Sequence, residues 1–414
     1  MKIPIEHLKR KGSVLAEQPK PRPVAGPTMP FRVYDSTTAA LALFLATAAV
    51  NLEMPLYRAY AAEAGYGNGM TTLMFAAYIV GLLPSLLLLG GISDRIGRKP
   101  VLLVGLTAAL GATLLMIYRP GMHLLFASRF LQGCGVGLSI GAGSAYLAES
   151  LGGAKSAKRS AGYVAIATSL GFGGGALFTG TVLLYGHTFV PVSYWIVAAL
   201  TAACIGMVLA MRRNRPTGGS LLRLPFFPMG SLPFSLTITL AWAVTGVVIS
   251  VMPAQLAYNG LSAWAGHALF LVNGTGVAVQ PWARSMHPHK ALMIGACILP
   301  IGYFTLLYGA WGGRIFFVLV GAALAGSACY GFTYLGSLAE LTRRGGDQVA
   351  RSVSGYFVFA YLGFGLPSVG LGFLADRYGL MPALVGFGIL VSLLCLLQLA
   401  WSRSQALASE ANEA

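Results

Sequence analysis

The chain has 414 residues, of which 56% are hydrophobic and 10% charged, and its formal charge is +16. That balance is far more apolar than a soluble domain needs to fill its core, so lipid is the expected solvent. A charge of this size can signal nucleic-acid binding, but the basic residues sit in the intervals between apolar runs and on one side of the expected path, which excludes that class.

Residues 1–35 mix charges with Pro4, Pro19, Pro21, Pro23, Pro27 and Pro30 and lack the apolar core of a cleavable signal, so a flexible basic tail is expected. After it come apolar runs of about 20 residues, the length a helix needs to cross a bilayer. In the first half they are Thr37 to Leu56, Thr71 to Gly90, Val101 to Tyr118, Leu124 to Ala148, Gly162 to Leu184 and Val190 to Met211. The interval 212–231, with Arg212, Arg213, Arg215, Arg223, Pro216, Gly218 and Gly219, reads as a linker. The second half holds Leu232 to Met252, Trp264 to Trp282, Ala291 to Trp311, Ile315 to Leu338, Gly355 to Leu374 and Pro382 to Trp401, and 403–414 is a second tail.

The runs are continuously apolar instead of alternating, which selects helices over barrel strands. The expected fold is therefore an all-α membrane protein of twelve transmembrane helices in two six-helix bundles, 36–211 and 232–402. With both termini in the cytoplasm, 23 of the 28 lysines and arginines fall on the cytoplasmic side. Only Arg58, Arg119, Arg314 and Arg377 face outward and Arg129 lies within a span, as the positive-inside rule requires. A multi-pass protein of a bacterial inner membrane is expected. Cys134, Cys204, Cys297, Cys329 and Cys395 all lie in apolar spans without metal-ligand spacing, so they read as packing residues. No metal or other cofactor is expected, and no catalytic cluster appears, so the chain is not expected to be an enzyme.

The halves repeat. Leu147-Ala148-Glu149, a basic loop, Gly162-Tyr163 and Leu170-Gly171-Phe172-Gly173 recur as Leu338-Ala339-Glu340, a basic loop, Gly355-Tyr356 and Leu362-Gly363-Phe364-Gly365. Two halves related in this way usually enclose a midplane site and rock around it.

Between spans two and three stands Gly91-Ile92-Ser93-Asp94-Arg95-Ile96-Gly97-Arg98-Lys99-Pro100, which resembles the signature loop of the major facilitator superfamily. The resemblance implies a cytoplasmic gate at Gly91, Asp94, Arg95, Gly97 and Arg98. Glu149 is the natural acidic partner, and Glu340 is its repeat-related equivalent. The matching second-half loop, Ala283 to Lys290, has decayed, so any lock there must use other contacts.

Arg129-Phe130-Leu131-Gln132-Gly133-Cys134-Gly135 in span four looks like the family's second motif. An arginine in lipid is costly and should face the bundle interior with a partner. Counting from the outer helix ends puts Glu53 of span one at similar depth. Related exporters pair such an acid with this arginine, which implies Glu53 and Arg129 as the proton-coupling pair. The plain alternative is that Glu53 sits in the outer headgroup region beside Tyr57 and Arg58.

Gly162, Gly171, Gly175 and Gly180 in span five resemble the third motif, found mainly in antiporters, although Ala176 replaces its proline and Thr179 one glycine. Pro367 restores a proline in the symmetric span eleven. Small residues also serve any close-packed membrane bundle. Asp376-Arg377 imitates the first motif but falls in an outer loop, where a turn without a gating role is expected.

Substrate-cavity candidates are Asn51, Gln132, Trp242, His267, Asn273, Tyr330, Tyr334 and Tyr361. For His267, a bonded structural residue and a second titrating group are both open readings. Together these features imply a monomeric secondary transporter similar to the proton-coupled drug and metabolite efflux antiporters. Its partners would be a small organic solute, protons and membrane lipid. The alternative is proton symport or facilitated uptake of a small nutrient on the same scaffold.

Overall fold

The computed structural model describes residues 33–413, apart from 88–90, 153–155, 215, 217 and 219–223. Most of the expected tail, part of the linker, and Lys155, Arg215 and Arg223 therefore lie outside the described residues, as do the side chains of Lys158 and Arg403. All regular structure among the described residues is helical.

The first crossing is α1 (Val33–Val50), a 3-10 turn at Met54–Leu56 and α2 (Tyr57–Glu63). Then follow α3 (Asn68–Leu87), the short α4 (Ile92–Ile96), α5 (Arg98–Tyr118), α6 (Met122–Ser150), α7 (Ala157–Leu183) and α8 (Val192–Ala210). The second half opens with α9 (Leu232–Ser250) and α10 (Met252–Tyr258), then α11 (Ala265–Ala278) and α12 (Gln280–Ala283). It continues through α13 (Pro288–Trp311), α14 (Ile315–Gly326), a π-helical stretch at Ser327–Thr333 and α15 (Tyr334–Gly345). It closes with α16 (Val349–Tyr378) and α17 (Leu380–Glu413).

Eleven of these crossings are long and apolar enough to span a membrane. The twelfth, expected over Trp264 to Trp282, is divided at Val279. Pro281 stands in the first turn of α12 and has no N–H with which to continue α11. At 1.5 Å per residue α11 covers about 21 Å, so α12 is needed to complete the crossing.

Proline also divides the leading crossing of each half, at Pro55 after α1 and at Pro253 in α10. Long apolar side chains such as Val80, Leu209, Leu366 and Leu397 remain exposed, as they should where lipid replaces water.

The halves meet along two seams, α3 against α16 and α7 against α11. The second is a backbone-to-backbone contact. A methyl on Gly266 would collide with the Ala176 carbonyl, and one on Gly180 would stand 2.5 Å from the Ala263 carbonyl. Gly171 and Gly175 face the other way, against Thr47 and Ala48 of α1. Two of the expected packing residues differ. Gly162 has open space where a Cβ would stand. Pro367 borders a hollow of about 900 Å³ between α9, α16 and α17, almost wholly apolar and made by one half alone. Among the cysteines, Cys297 is exposed on α13 and is not a core residue.

Candidate substrate and proton site

Because α1 stops at Val50, its last carbonyls have no helical N–H partners. Side chains of α6 supply them. Arg129 Nη1 donates to the Val50 carbonyl, and Gln132 Nε2 to the Ala49 carbonyl at 3.0 Å. The negative end of α1 thus holds a buried cation and an amide donor, as its dipole favours.

Glu53 sits in the break itself, 1% exposed. Its Oε1 accepts from Gln132 Nε2 at 2.8 Å and from Ser128 Oγ at 3.1 Å, while Oε2 has no partner. Glu53 and Arg129 do not form a direct ion pair. They share Gln132, whose Oε1 accepts from Arg129 Nη1 at 2.8 Å. Arg129 is fully buried, its Nε and Nη2 unpartnered. Its guanidinium lies 5.0 Å from the Tyr78 ring centre and 5.7 Å from those of Tyr57 and Phe75, distances at which cation–π attraction is appreciable.

Beside this cluster lies a cavity of about 610 Å³ lined by both halves. It begins at Val50, Asn51, Arg129 and Ile249 and runs toward the ends of α6, α7 and α15 at Ala148, Ser160 and Leu338, the face that carries the basic loops. Asn51, Trp242, Asn273, Tyr330, Tyr334 and Tyr361 line it.

Two cavity candidates lie elsewhere. Gln132 stands behind Arg129, held by backbone and Glu53. His267 faces α7, with Nε2 3.4 Å from Thr181 Oγ1 and Nδ1 3.3 Å from the Ala263 carbonyl, because one side of α11 is turned to that seam. Tyr78, Phe364, Gln280 and Arg284, which the sequence did not single out, do line the cavity. Trp242 centres its aromatic wall, with ring centres 5.0 Å from Tyr361, 5.8 Å from Tyr330 and 6.0 Å from Phe364.

Two helical halves around a shared cavity match a known pattern, and the profile described as Major Facilitator Superfamily covers residues 39–368. The chain belongs to that superfamily. It is therefore a multi-pass membrane transporter and not an enzyme.

Multidrug resistance protein MdtL of Klebsiella pneumoniae is 25% identical over 314 residues, 71% of this chain and 78% of that protein. Multidrug resistance protein D of Escherichia coli is 32% identical over 90 residues, 22% of this chain and 23% of that protein. Among solved structures, a variant of the nucleoside transporter NupG superposes with a TM-score of 0.70 at 13% identity, covering 88% of this chain and 99% of that one. A D-xylose-proton symporter does so at 0.67 and 16%, covering 88% and 96%. At such identities these structures speak to the fold alone.

The two faces of this facilitator are held differently. On the basic face, Gly97 takes a positive φ of 97° between α4 and α5, and Arg98 turns back to pair with Asp94. Arg98 also donates to Ser93 Oγ at 2.6 Å and to Glu149 Oε1 at 3.1 Å, and Asn214 donates to Glu149 Oε2. Gly91 caps α4, and Arg95 is exposed. In the second half Glu340 accepts from Arg343 at 2.7 Å, with Arg344 at 3.8 Å and His289 at 4.0 Å. So His289 stands in the decayed loop where Arg98 stands in the intact one. Among the described residues, the bonds of Arg98 and Glu340 stay within their own halves, and Glu149 reaches Arg98 and, through Asn214, the start of the linker.

The opposite face is bonded across the halves. Asp376, at the end of α16, accepts from Asn68 N at 2.7 Å, Gly69 N at 2.8 Å and Asn68 Nδ2 at 3.0 Å, capping α3 from the other half. Nearby, Arg58 of α2 lies 6.0 Å from the ring centre of Tyr258 on α10. Instead of a simple connecting turn, Asp376 makes a contact between halves.

Proposed function

We propose that this transporter exports a small organic solute in exchange for protons, by alternating access, from the cytoplasm of a bacterium whose inner membrane it spans with both termini inside. The observation that carries this reading is Glu53, a carboxylate buried beside the cavity and one amide away from a buried guanidinium that lines it. A charge in such a site is expensive unless compensated, and the cheapest compensation is a proton. Oε2, the oxygen without a donor, is the atom that takes it. Any shift of the α1 break against α6 changes how well Gln132 and Arg129 compensate the ion, so conformation and proton occupancy are linked.

The resemblance to multidrug resistance proteins supports export of an organic solute. The basic loops support a cytoplasmic opening for the cavity, with the Asp376 contacts closing the outside.

The test uses protein in liposomes with a trapped pH dye, challenged with aromatic solutes of each charge type. Solute moving one way should drive protons the other, and Glu53→Gln should abolish the proton signal while solute still binds. Movement of solute and protons in the same direction would establish symport, and solute movement without protons would overturn the coupling altogether.

A further inference from the structure

The polar groups of the central cavity are unequally matched. Two arginines line it, Arg129 at the blind end and Arg284 at the mouth, and no aspartate or glutamate does so among the described residues. Arg129 makes its two bonds through Nη1 alone, which leaves Nε and Nη2 free. Those two nitrogens form one edge of the planar guanidinium, the edge that takes a carboxylate through two parallel bonds.

The indole N–H of Trp242 and the hydroxyl of Tyr78, both buried, also lack partners. Three of these four unpartnered groups can only donate. A buried donor without an acceptor is costly, so the missing complement is a solute rich in acceptors.

The charge distribution agrees with this. Arg284 is bonded to Gln280 Oε1 at 3.1 Å and, among the described residues, has no acid within pairing distance. Glu149 and Glu340, at the ends of helices that line the mouth, are already paired with Arg98 and Arg343. A low-dielectric funnel with cations at both ends concentrates anions and repels cations.

We propose that the transported solute is an aromatic organic anion. Its planar ring packs against Trp242, Tyr361 and Phe364, and its carboxylate bridges Nε and Nη2 of Arg129. This rests on the cavity being the transport site, but not on proton exchange.

The test is calorimetric binding to purified protein in detergent, without any gradient, using 1-naphthoate, 1-naphthamide and 1-naphthylmethylammonium. Naphthoate should bind about tenfold or more tightly than the ammonium compound. Arg129→Lys keeps the charge but removes the planar fork, and it should weaken naphthoate by about tenfold more than it weakens naphthamide. Arg284→Gln should weaken naphthoate less, mainly through a slower association rate.

Equal or tighter binding of the cation overturns the proposal, and so does a folded protein that binds none of the three. Failure of the two readings is distinguishable. Naphthoate that binds but moves no protons in liposomes removes the exchange mechanism and keeps the anion site. A cation exchanged for protons does the reverse.

Discussion

Gln132 carries more of the coupling site than its uncharged side chain suggests. It donates to Glu53 and to the Ala49 carbonyl and accepts from Arg129. Gln132→Leu would take one of two donors from Glu53 Oε1, one of two acceptors from Arg129 Nη1 and the side-chain donor from the Ala49 carbonyl, and a buried group left unpaired costs about 1–3 kcal/mol. The expected result is a lowered melting temperature in detergent and a proton signal in liposomes cut by more than the solute binding; unchanged coupling would contradict the bridge. The residues of this site were legible as a set, because an arginine inside an apolar run and an acid at similar depth demand one another. Their arrangement was not. A direct Glu53–Arg129 approach was expected, and the interposed amide follows from α1 stopping at Val50, which Pro55 hinted at without specifying where the freed carbonyls would point.

At the scale of elements, the seam between α7 and α11 depends on the absence of side chains. Gly266→Ala sets a methyl against the Ala176 backbone carbonyl, which cannot rotate away, so the helices must separate. Overpacking of this kind costs about 1–3 kcal/mol, and a clear loss of both melting temperature and transport rate is expected. Gly162→Ala, facing open space, should leave both intact or gain up to about 1 kcal/mol from better helix propensity. If the two substitutions behave alike, these glycines of α7 and α11 act through propensity and not through packing.

All twelve crossings could be read from the apolar runs, since the demand for internally satisfied backbone leaves helices as the answer. The divisions at Pro55, Pro253 and Pro281 carried a visible signal. The π-helical stretch at Ser327–Thr333 did not, because nothing in its residues separates it from ordinary helix.

Across the whole molecule, the contact between Asp376 and the start of α3 joins residues 308 apart in sequence, beyond the reach of local pattern. Asn68→Cys combined with Asp376→Cys, in a background freed of the native cysteines, should cross-link under oxidation and stop transport. Reduction should restore it. Transport that continues through the cross-link would mean that this face never has to part. Asp376→Asn, which keeps an acceptor but removes the charge, should instead raise the reactivity of a cysteine at Ile249 toward reagents added outside.

One further consequence lies in α16. Its 30 residues run without a break from Val349 to Tyr378, about 45 Å by the rise of an α-helix. One end carries Asp376. At the other, Arg351 Nε donates to the Leu224 carbonyl at 3.0 Å and the Phe226 N–H donates to the Arg351 carbonyl at 3.0 Å, tying the segment between the halves to the helix. A helix that tilts as one body about a point near its middle moves its ends in opposite directions, so drawing one end inward swings the other out. Exclusion of a leak, with both faces open at once, then needs no message relayed through the cavity, because it is a property of leverage. Shortening the tethering segment would act on the Arg351 end of that lever and bias which face stands open, without touching a residue that meets solute or proton.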